Sequence, residues 1–311
     1  MPLHVFKLLS LILAVCACSP QPATSYSSAK EATSTEHYFP EKHIPIYRAH
    51  QLPQTQQLGS LPIVKLIVNG QQGLFAFDTG ATHAVISRAF LHKIAITDTG
   101  TYPVRDAANN IVQVGKLAAL KVATEDATSF KILYPVAADI PYLNNLGLDG
   151  IVSPQSLISQ NNACIHVDLL NNQAVVASLM SATCQLDNAD YATFALSQAK
   201  IKQPLVQLTV LTGNKQHTEQ LYLIDTGATT SSVSGRYAQH ILSDHASQTV
   251  GLAGNVQSNK MAGPITFMLG KANRQLPQVN VYNREISILG MDVLNTAQIV
   301  IKTNGELEIK L

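Results

Sequence analysis

The hydrophobic and polar positions follow the same pattern in both halves of the 311-residue chain. Residues 61–68 and residues 204–211 are rich in Val, Leu and Ile, and each run is followed by a polar turn and a second apolar run. Short apolar runs bounded by turn residues are typical of β-strands. Each half therefore predicts a hairpin, whose second strand ends at Phe77 in the first half and at Ile224 in the second.

The correspondence continues after each hairpin. An aliphatic residue, a Ser and a short amphipathic stretch follow at residues 86–91 and at residues 233–238. Farther along, each half contains an apolar segment with a glycine, and the two segments align on Gly150 and Gly290. Each half then ends in a predicted pair of strands: residues 163–176 and residues 298–309. This repeat predicts two equivalent units rather than a solenoid.

Composition supports two lobes of ordinary size. The chain is 46% hydrophobic and 13% charged, which is enough apolar material for two cores. We assign residues 58–185 to the first lobe and residues 186–311 to the second. The formal net charge is +1 and no run of Lys or Arg occurs, so we expect no nucleic-acid partner.

The N-terminus indicates export. Residues 1–17 have the pattern of a signal peptide, with Lys7 before an apolar stretch that is too short to span a bilayer as a mature helix. Residues 15–18 (VCAC) resemble a bacterial lipobox, in which the small Ala17 precedes a lipidated Cys18. Ordinary signal cleavage at the same bond is the alternative.

The segment after Cys18 predicts where the protein is held. Ser19 stands where an Asp would retain a bacterial lipoprotein in the inner membrane, so the resemblance implies the outer membrane of a Gram-negative bacterium, facing the periplasm. Residues 18–57 form a tether and lead-in, and residues 19–36 are rich in Ser, Thr, Ala, Pro and Gln. Such a composition buries too little apolar surface to offset its ordering entropy, so we expect a flexible tether on a lipid anchor.

Cys164 and Cys184 remain after Cys18 and the signal peptide are set aside. In an oxidising periplasm this pair predicts a disulfide that contributes about 3 kcal/mol. Two buried free thiols are the alternative. The segment Cys164-Ile165-His166 lacks the ligands of a zinc site, and we expect neither a metal nor a cofactor.

The same phrase stands at the end of both predicted hairpins: FDTGAT at residues 77–82 and IDTGAT at residues 224–229. A strand that ends in Asp, Thr and Gly turns sharply and presents its carboxylate at the tip. If two equivalent units pack about a pseudo-twofold axis, Asp78 and Asp225 meet on that axis. Two adjacent carboxyl groups share one proton, so one is a general base for water and the other donates to a carbonyl oxygen. This pair of roles suits amide hydrolysis.

A third Asp-Thr-Gly occurs at residues 98–100, without an apolar strand before it. We predict a turn there, because Asp and Gly are common turn residues.

From about residue 58 to residue 311, the chain resembles the aspartic peptidases of the retropepsin and pepsin type (clan AA), for which shared-proton carboxyl pairs are the standard example. The resemblance rests on the two Asp-Thr-Gly-Ala-Thr loops and the two apolar-glycine segments. It implies an all-β fold of two homologous barrel-like lobes with a few short helices. It also implies a catalytic pair, threonines that support it across the lobe interface and glycines that shape the loops: Asp78, Asp225, Thr79, Thr226, Gly80 and Gly227.

Compared with the retroviral members of that group, this chain shares one feature of the loops and differs in two respects. Ala follows each loop glycine as in those enzymes, but both halves lie in one chain, so a monomer is expected to be sufficient. Thr82 and Thr229 replace the second acidic residue of the viral loop, so the ion pair of that subgroup cannot form.

Two hairpins are candidate flaps over the cleft, because small or turn-forming residues lie between more apolar arms. Plain surface hairpins are the alternative. The candidate flap residues are Ala108, Asn109 and Asn110 in the first lobe and Gly254 and Asn255 in the second.

Three further polar residues lie near these motifs. His83 either lines the cleft or faces solvent. Asp149 and Asp292 flank the aligned glycines, and we expect them to cap the short helices that follow.

The sequence thus favours an aspartic endopeptidase that binds an extended peptide or protein substrate along its flap edges. No serine-hydrolase elbow, zinc-protease motif or phosphate-binding Gly-Lys loop competes with it. The alternative is a catalytically inactive peptide-binding or scaffold lipoprotein with the same fold.

Overall fold

A computed structural model describes most of the chain. The described backbone covers residues 9–11, 38–106, 110–158, 162–187, 192–195, 203–212, 217–238, 242–250, 256–269, 272–282 and 286–311. Strands dominate it and the helices are few and short. The predicted all-β, two-lobe fold is therefore confirmed.

The strands of the first half are β1 (Leu9–Leu11), β2 (Lys42–Pro45), β3 (Tyr47–Arg48), β4 (Pro62–Val68), β5 (Gln71–Phe77), β6 (Val85–Ser87), β7 (Thr99–Arg105), β8 (Ile111–Lys116), β9 (Leu120–Ala123), β10 (Ser129–Ile132), β11 (Val136–Ala138), β12 (Gly150–Val152), β13 (Ala163–Asp168) and β14 (Gln173–Ser178). Those of the second half are β15 (Ala192–Ala195), β16 (Leu205–Thr212), β17 (His217–Ile224), β18 (Ser232–Ser234), β19 (Leu242–Val250), β20 (Val256–Ala262), β21 (Ile265–Leu269), β22 (Ala272–Leu276), β23 (Val279–Tyr282), β24 (Ser287–Leu289), β25 (Gln298–Lys302) and β26 (Glu306–Lys310).

The α-helices are α1 (Arg88–Lys93), α2 (Pro141–Asn145), α3 (Gly235–Ala238) and α4 (Met291–Leu294). Short 3-10 turns occur at Ala49–Gln51, Gln56–Leu58, Pro154–Leu157 and Ala182–Cys184.

Each lobe contains one large sheet, and the two sheets have equivalent strand orders. The first-lobe order is β7-β8-β11-β6-β12-β5-β4-β9-β10, with β3 beside β4. The second-lobe order is β19-β20-β23-β18-β24-β17-β16-β21-β22, with β1 beside β19. The hairpins predicted before each Asp-Thr-Gly loop are β4–β5 and β16–β17, and both are confirmed.

A third sheet joins the two halves, in the order β15-β26-β25-β13-β14-β2. Its centre is the antiparallel pairing of β13 with β25, so the strand pairs predicted at residues 163–176 and 298–309 form and also meet each other. The buried aliphatic side chains on its inner face include Ile165, Val167 and Ile299, which belong to a core cluster that contains residues of both lobes.

The core of each lobe contains an aromatic pair, and one member of each pair, Phe75 or Tyr222, lies at an equivalent strand position three residues before the aspartate. Phe75 on β5 meets Phe90 edge to face at 5.5 Å between ring centroids, and Tyr222 on β17 meets Phe267 in the same way at 5.4 Å. Such pairs contribute roughly 0.5–1.5 kcal/mol beyond the area they bury. Because side chains alternate along a strand, this packing also determines which residues of β5 and β17 point away from the core.

The predicted disulfide between Cys164 and Cys184 is present, with 5.8 Å between the Cα atoms. It links β13 to the 3-10 turn Ala182–Cys184. The segment after this turn lies over the outer face of the third sheet, where the Leu186 N–H donates to the buried Glu308 at 2.9 Å.

The predicted alignment of Gly150 with Gly290 is wrong. β12 pairs in parallel with β5 so that Gly150 lies opposite Phe75, whereas β24 pairs with β17 so that Ser287 lies opposite Tyr222. The structural counterpart of Gly150 is therefore Ser287, and Gly290 lies just beyond its strand. Both segments are apolar runs with a glycine, and only their register against the long strands distinguishes them.

The turn predicted at residues 98–100 is also wrong. Thr99 and Gly100 begin β7, where the register shifts at a bulge and Gly100 has φ +58°. The Asp98 carboxylate is bound by the Arg88 guanidinium at 3.0 Å. Glycine with positive φ suits a bulge as well as a turn, so the tripeptide alone could not distinguish them.

Neither Asp149 nor Asp292 caps a helix, contrary to the prediction. Asp149 Oδ2 accepts from the Leu74 N–H at 3.1 Å, so this carboxylate satisfies a backbone donor of β5. Asp292 lies within α4, whose N-cap is Gly290, and its carboxylate accepts from the N–H of Ser231 at 2.9 Å. Both carboxylates satisfy backbone donors of distant segments.

Several predictions fall on parts of the chain that are not described. Within the described ranges, no helix is long and apolar enough to cross a membrane, and no group of three or more His, Cys, Asp or Glu is placed to hold a metal ion. Cys18 and the tether at residues 19–36 lie outside the described residues. Of the predicted signal peptide only β1 is described, where it pairs in parallel with the end of β19. The signal peptide and the lipid anchor stay predictions.

Candidate active site

Asp78 and Asp225 occupy equivalent positions, each one residue beyond the end of a long strand. The Asp78 N–H donates to the Val152 carbonyl at 3.0 Å, and the Asp225 N–H donates to the Leu289 carbonyl at 3.0 Å. The neighbouring parallel strand thus holds each aspartate in an extended position. Since Phe77 faces the core before Asp78, alternation turns the carboxylate to the opposite face of the sheet.

The structure brings these two aspartates together across the lobe interface. A Cβ added to Gly80 would lie 2.6 Å from Cγ of Asp225, and one added to Gly227 would collide with the carboxyl group of Asp78. Real Cβ atoms do not approach other atoms this closely, so only glycine fits at either position. Both carboxyl groups are completely buried.

Thr79 and Thr226 bind each other's loops through four hydrogen bonds. Thr79 Oγ1 donates to the Ile224 carbonyl at 2.7 Å and accepts from the Thr226 N–H at 3.1 Å. Thr226 Oγ1 donates to the Phe77 carbonyl at 2.6 Å and accepts from the Thr79 N–H at 3.0 Å. All four bonds are buried and cross the interface, so they hold the two loops in one relative position.

Each carboxyl group has one oxygen held by its own loop. Asp78 Oδ1 accepts from the N–H groups of Gly80 at 2.8 Å and Ala81 at 3.0 Å, and Asp225 Oδ1 accepts from the Gly227 N–H at 2.9 Å. The Oδ2 atoms of both aspartates are buried and have no hydrogen-bond partner among the described residues. Buried polar atoms without a partner are rare in proteins, and a catalytic role or a bound water is one explanation for them.

Burial raises the pKa of both aspartates. The pKa of Asp78 rises to about 6, because the removal of water disfavours its charged form. The pKa of Asp225 is also raised well above its usual range, first through burial and then through the negative charge of Asp78 beside it. Because two adjacent buried carboxyl groups cannot both ionise easily, the pair shares one proton near neutral pH.

Two supporting networks were not predicted from the sequence. In the first lobe, Gln155 Nε2 donates to the Thr79 carbonyl at 2.8 Å. In the second, Ser231 Oγ accepts from the Gly290 N–H at 2.9 Å and donates to Asp292 at 2.6 Å. No sequence motif indicates these residues, because each contact joins segments that are far apart along the chain.

His83 lies five residues after Asp78 and is partly buried, and whether it lines the cleft stays a prediction. Its Nδ1 lies 2.9 Å from Thr82 Oγ1. Burial lowers the pKa of His83, so its ring is neutral near pH 7.

The arms of the two candidate flaps form the hairpins β7–β8 and β19–β20. Ala108, Asn109, Gly254 and Asn255 lie outside the described residues. Asn110 is described, and its N–H donates to Asp106 Oδ1 at 2.8 Å. Val250, at the end of β19, packs in a cluster of first-lobe residues, so the second hairpin reaches across to the opposite lobe. The flap function stays a prediction.

Comparison with known proteins supports one part of this description. A protein-family model described as aspartyl protease matches residues 64–149. The matched segment begins in β4, includes the Asp78 loop and ends just before β12, so it lies within the first lobe. No curated protein matches the chain. The match supports an aspartyl protease family for this part of the chain.

We expect Thr79→Val to lower the free energy of unfolding by about 2–4 kcal/mol, because it leaves the buried Ile224 carbonyl and Thr226 N–H without their partner. Urea unfolding monitored by circular dichroism measures this change. Thr79→Ser keeps the hydroxyl and is the matched control, with an expected loss below about 1 kcal/mol. A larger loss in Thr79→Ser than in Thr79→Val would show that packing of the methyl group, rather than hydrogen bonding, holds the loops.

The raised carboxyl pKa values also predict a pH-dependent stability. A carboxyl group whose pKa is higher in the folded state stabilises the fold below its unfolded pKa, and this contribution is lost as pH rises through the folded value. The double variant Asp78→Asn/Asp225→Asn should therefore match the wild type most closely near about pH 4. It should exceed the wild type by about 3 kcal/mol or more near about pH 8, since one pKa unit corresponds to about 1.4 kcal/mol.

Thermal and urea unfolding at each pH would measure this difference. The control is Asp187→Asn, which changes an exposed carboxyl group and should leave the pH dependence of the wild type unaltered. A constant difference between the double variant and the wild type across this pH range would contradict the raised pKa values.

Proposed function

We propose that the protein is an aspartic endopeptidase, with Asp78 and Asp225 as its catalytic pair. The observation that carries this proposal is the contact of two buried carboxyl groups from equivalent loops, whose Oδ2 atoms have no partner among the described residues. Such a pair supplies both a base and an acid within reach of one bound water. The family match to residues 64–149 supports the same class of enzyme.

In the proposed mechanism one carboxyl group is the base and the other is the acid, and we assign the base to Asp78 and the acid to Asp225. Asp78 is ionised and accepts a proton from a water bound between the Oδ2 atoms, while the water oxygen forms a bond to the substrate carbonyl carbon. Asp225 gives its proton to the carbonyl oxygen, which produces an uncharged tetrahedral diol. The amide nitrogen then takes the proton held by Asp78, the C–N bond breaks, and a hydroxyl proton of the diol returns to Asp225.

The substrate in this proposal is an extended peptide or protein segment. Such a segment pairs its backbone with the hairpins β7–β8 and β19–β20 as an added strand. Both carboxyl groups belong to one chain, so a monomer is sufficient, and the mechanism uses no cofactor. A catalytically inactive peptide-binding or scaffold lipoprotein is the less supported alternative, because both aspartates, both threonines and both glycines of the loops are present.

Cleavage of a diverse peptide mixture, followed by mass spectrometry, tests the proposal. The chain from residue 19 onward should cut peptides, and Asp78→Asn or Asp225→Asn should each lower the rate by about 10²- to 10⁴-fold or more, since each removes an acid–base group. Asp98→Asn is the matched control, because it alters the third Asp-Thr-Gly, whose carboxylate pairs with Arg88. Cleavage retained by both dyad variants would exclude the mechanism.

The same assay has an expected pH dependence. Activity should fall below about pH 6, where Asp78 takes up the second proton, and fall again at higher pH where Asp225 loses its proton.

We also propose that the mature chain is an outer-membrane lipoprotein that begins at a lipidated Cys18 and faces the periplasm. The lipobox-like residues 15–18 and the tether that follows them support this location. The mature wild-type chain should fractionate with membranes and carry the mass of its acyl groups, whereas Cys18→Ser should not. Wild-type chain recovered as a soluble form with unmodified Cys18 would contradict the anchor.

A further inference from the structure

The face of each large sheet that carries a catalytic aspartate also carries a row of paired side chains. In the first lobe, Ala76 lies opposite Ile151, which lies opposite Val85, which lies opposite Val136. Ala76 is two residues before Asp78 on β5, so it points to the same face as that carboxyl group. All four side chains are buried and belong to one apolar cluster.

The second lobe has a row of the same register but different chemistry. Leu223 lies opposite Ile288, which lies opposite Ser232, which lies opposite Asn280. Leu223 is two residues before Asp225, so this row shares the face of that carboxyl group. Ser232 and Asn280 thus occupy the positions that Val85 and Val136 occupy in the first lobe.

The hairpins β7–β8 and β19–β20 show the same contrast between apolar side chains in the first lobe and polar side chains in the second. Their inward positions hold Val104 and Val114 in the first lobe and Thr249 and Asn259 in the second, by the equivalent pairing of β8 with β11 and of β20 with β23. We define the first-lobe wall as Val85, Val104, Val114 and Val136. We define the second-lobe wall as Ser232, Thr249, Asn259 and Asn280. Every one of these side chains is buried.

Asn280, Asn259 and Thr249 of the second-lobe wall form hydrogen bonds with each other, with the Asp225 loop, or with Ser247 and Tyr282 nearby. Asn280 Nδ2 donates to Thr230 Oγ1 at 2.9 Å, and Asn259 Nδ2 donates to Thr249 Oγ1 at 2.7 Å. The exception is Ser232 Oγ, which is buried and has no hydrogen-bond partner among the described residues. The only other atoms of this kind in the described ranges are the two aspartate Oδ2 atoms and His166 Nε2, which lies away in the third sheet.

The fold itself does not require this polar wall. The first lobe has the same strand order and the same register with valines at the corresponding positions. A buried hydroxyl without a partner destabilises a protein, whereas valine there would add apolar contacts. A structural role alone therefore leaves Ser232 unexplained, and a bound group that bonds to its hydroxyl accounts for it.

Resting on the proposed function, we infer that the two walls bind chemically different substrate side chains on opposite sides of the cleaved bond. The first-lobe wall takes an aliphatic side chain. The second-lobe wall takes an uncharged polar side chain, such as Ser, Thr, Asn or Gln, which bonds to Ser232 Oγ. The second-lobe wall contains no ionisable side chain, so a charged substrate group would be buried there without a partner.

Peptide pairs that differ only between Asn and Leu, or between Thr and Val, on either side of the cleaved bond test the inference. On one side the polar member should have a kcat/KM higher by about tenfold or more, and on the other side the aliphatic member should be preferred. Ser232→Ala should abolish the polar preference without affecting the aliphatic one.

Val85→Thr is the matched variant in the first lobe. It should weaken only the aliphatic preference and leave the polar preference intact. Removing an unpartnered buried hydroxyl does not destabilise the fold, so Ser232→Ala should unfold no earlier than the wild type in a thermal scan. Aliphatic preference on both sides of the bond, or a polar preference that survives Ser232→Ala, would overturn the inference.

Binding of the same peptide pairs to the Asp225→Asn variant by calorimetry separates this inference from the proposed function. If the wild type cuts nothing but the variant binds peptides with the expected preferences, the proposed peptidase function is wrong and the inferred preferences of the two walls are supported. If the wild type cuts peptides without a polar preference, the peptidase stands and the inference fails. If no peptide in the set binds, the inference is overturned.

Discussion

The reciprocal hydrogen bonding of Thr79 and Thr226 is the interaction on which the rest of the site depends. Each hydroxyl donates to the backbone before the opposite aspartate and accepts from the N–H of the opposite threonine. Two buried carboxyl groups in contact repel each other and lose hydration, so they separate unless the backbone holds them. The four bonds provide that restraint, and the glycines at 80 and 227 provide the space.

Because the four hydrogen bonds keep the two carboxyl groups close together and buried, the acid–base properties of both groups change. Burial and proximity raise the pKa of both Asp78 and Asp225. The same tripeptide has a different environment at Asp98, which directly precedes the edge strand β7 and forms an ion pair with Arg88. The tripeptide therefore acquires acid–base character only where a second copy faces it in a buried position.

The two lobes show how an equivalent scaffold can carry unequal chemistry. The strand orders and the pairing registers correspond, and an aromatic side chain three residues before each aspartate packs edge to face in each core. The faces beside the aspartates differ, with valines in the first lobe and Ser, Thr and Asn in the second. The same strand order and register therefore accommodate apolar side chains on this face in one lobe and polar side chains in the other.

The amino-acid sequence by itself determined the two hairpins, the closing strand pairs, the disulfide and the repeated aspartate loops. These features follow from local apolar periodicity, from an exact repeat and from the chemistry of two cysteines. Only the tertiary structure decided that Gly150 matches Ser287, that Asp149 and Asp292 hold distant backbone groups, and that Ser232 lies buried on the sheet face that carries Asp225. Register and burial depend on neighbours far along the chain, so no local pattern contains them.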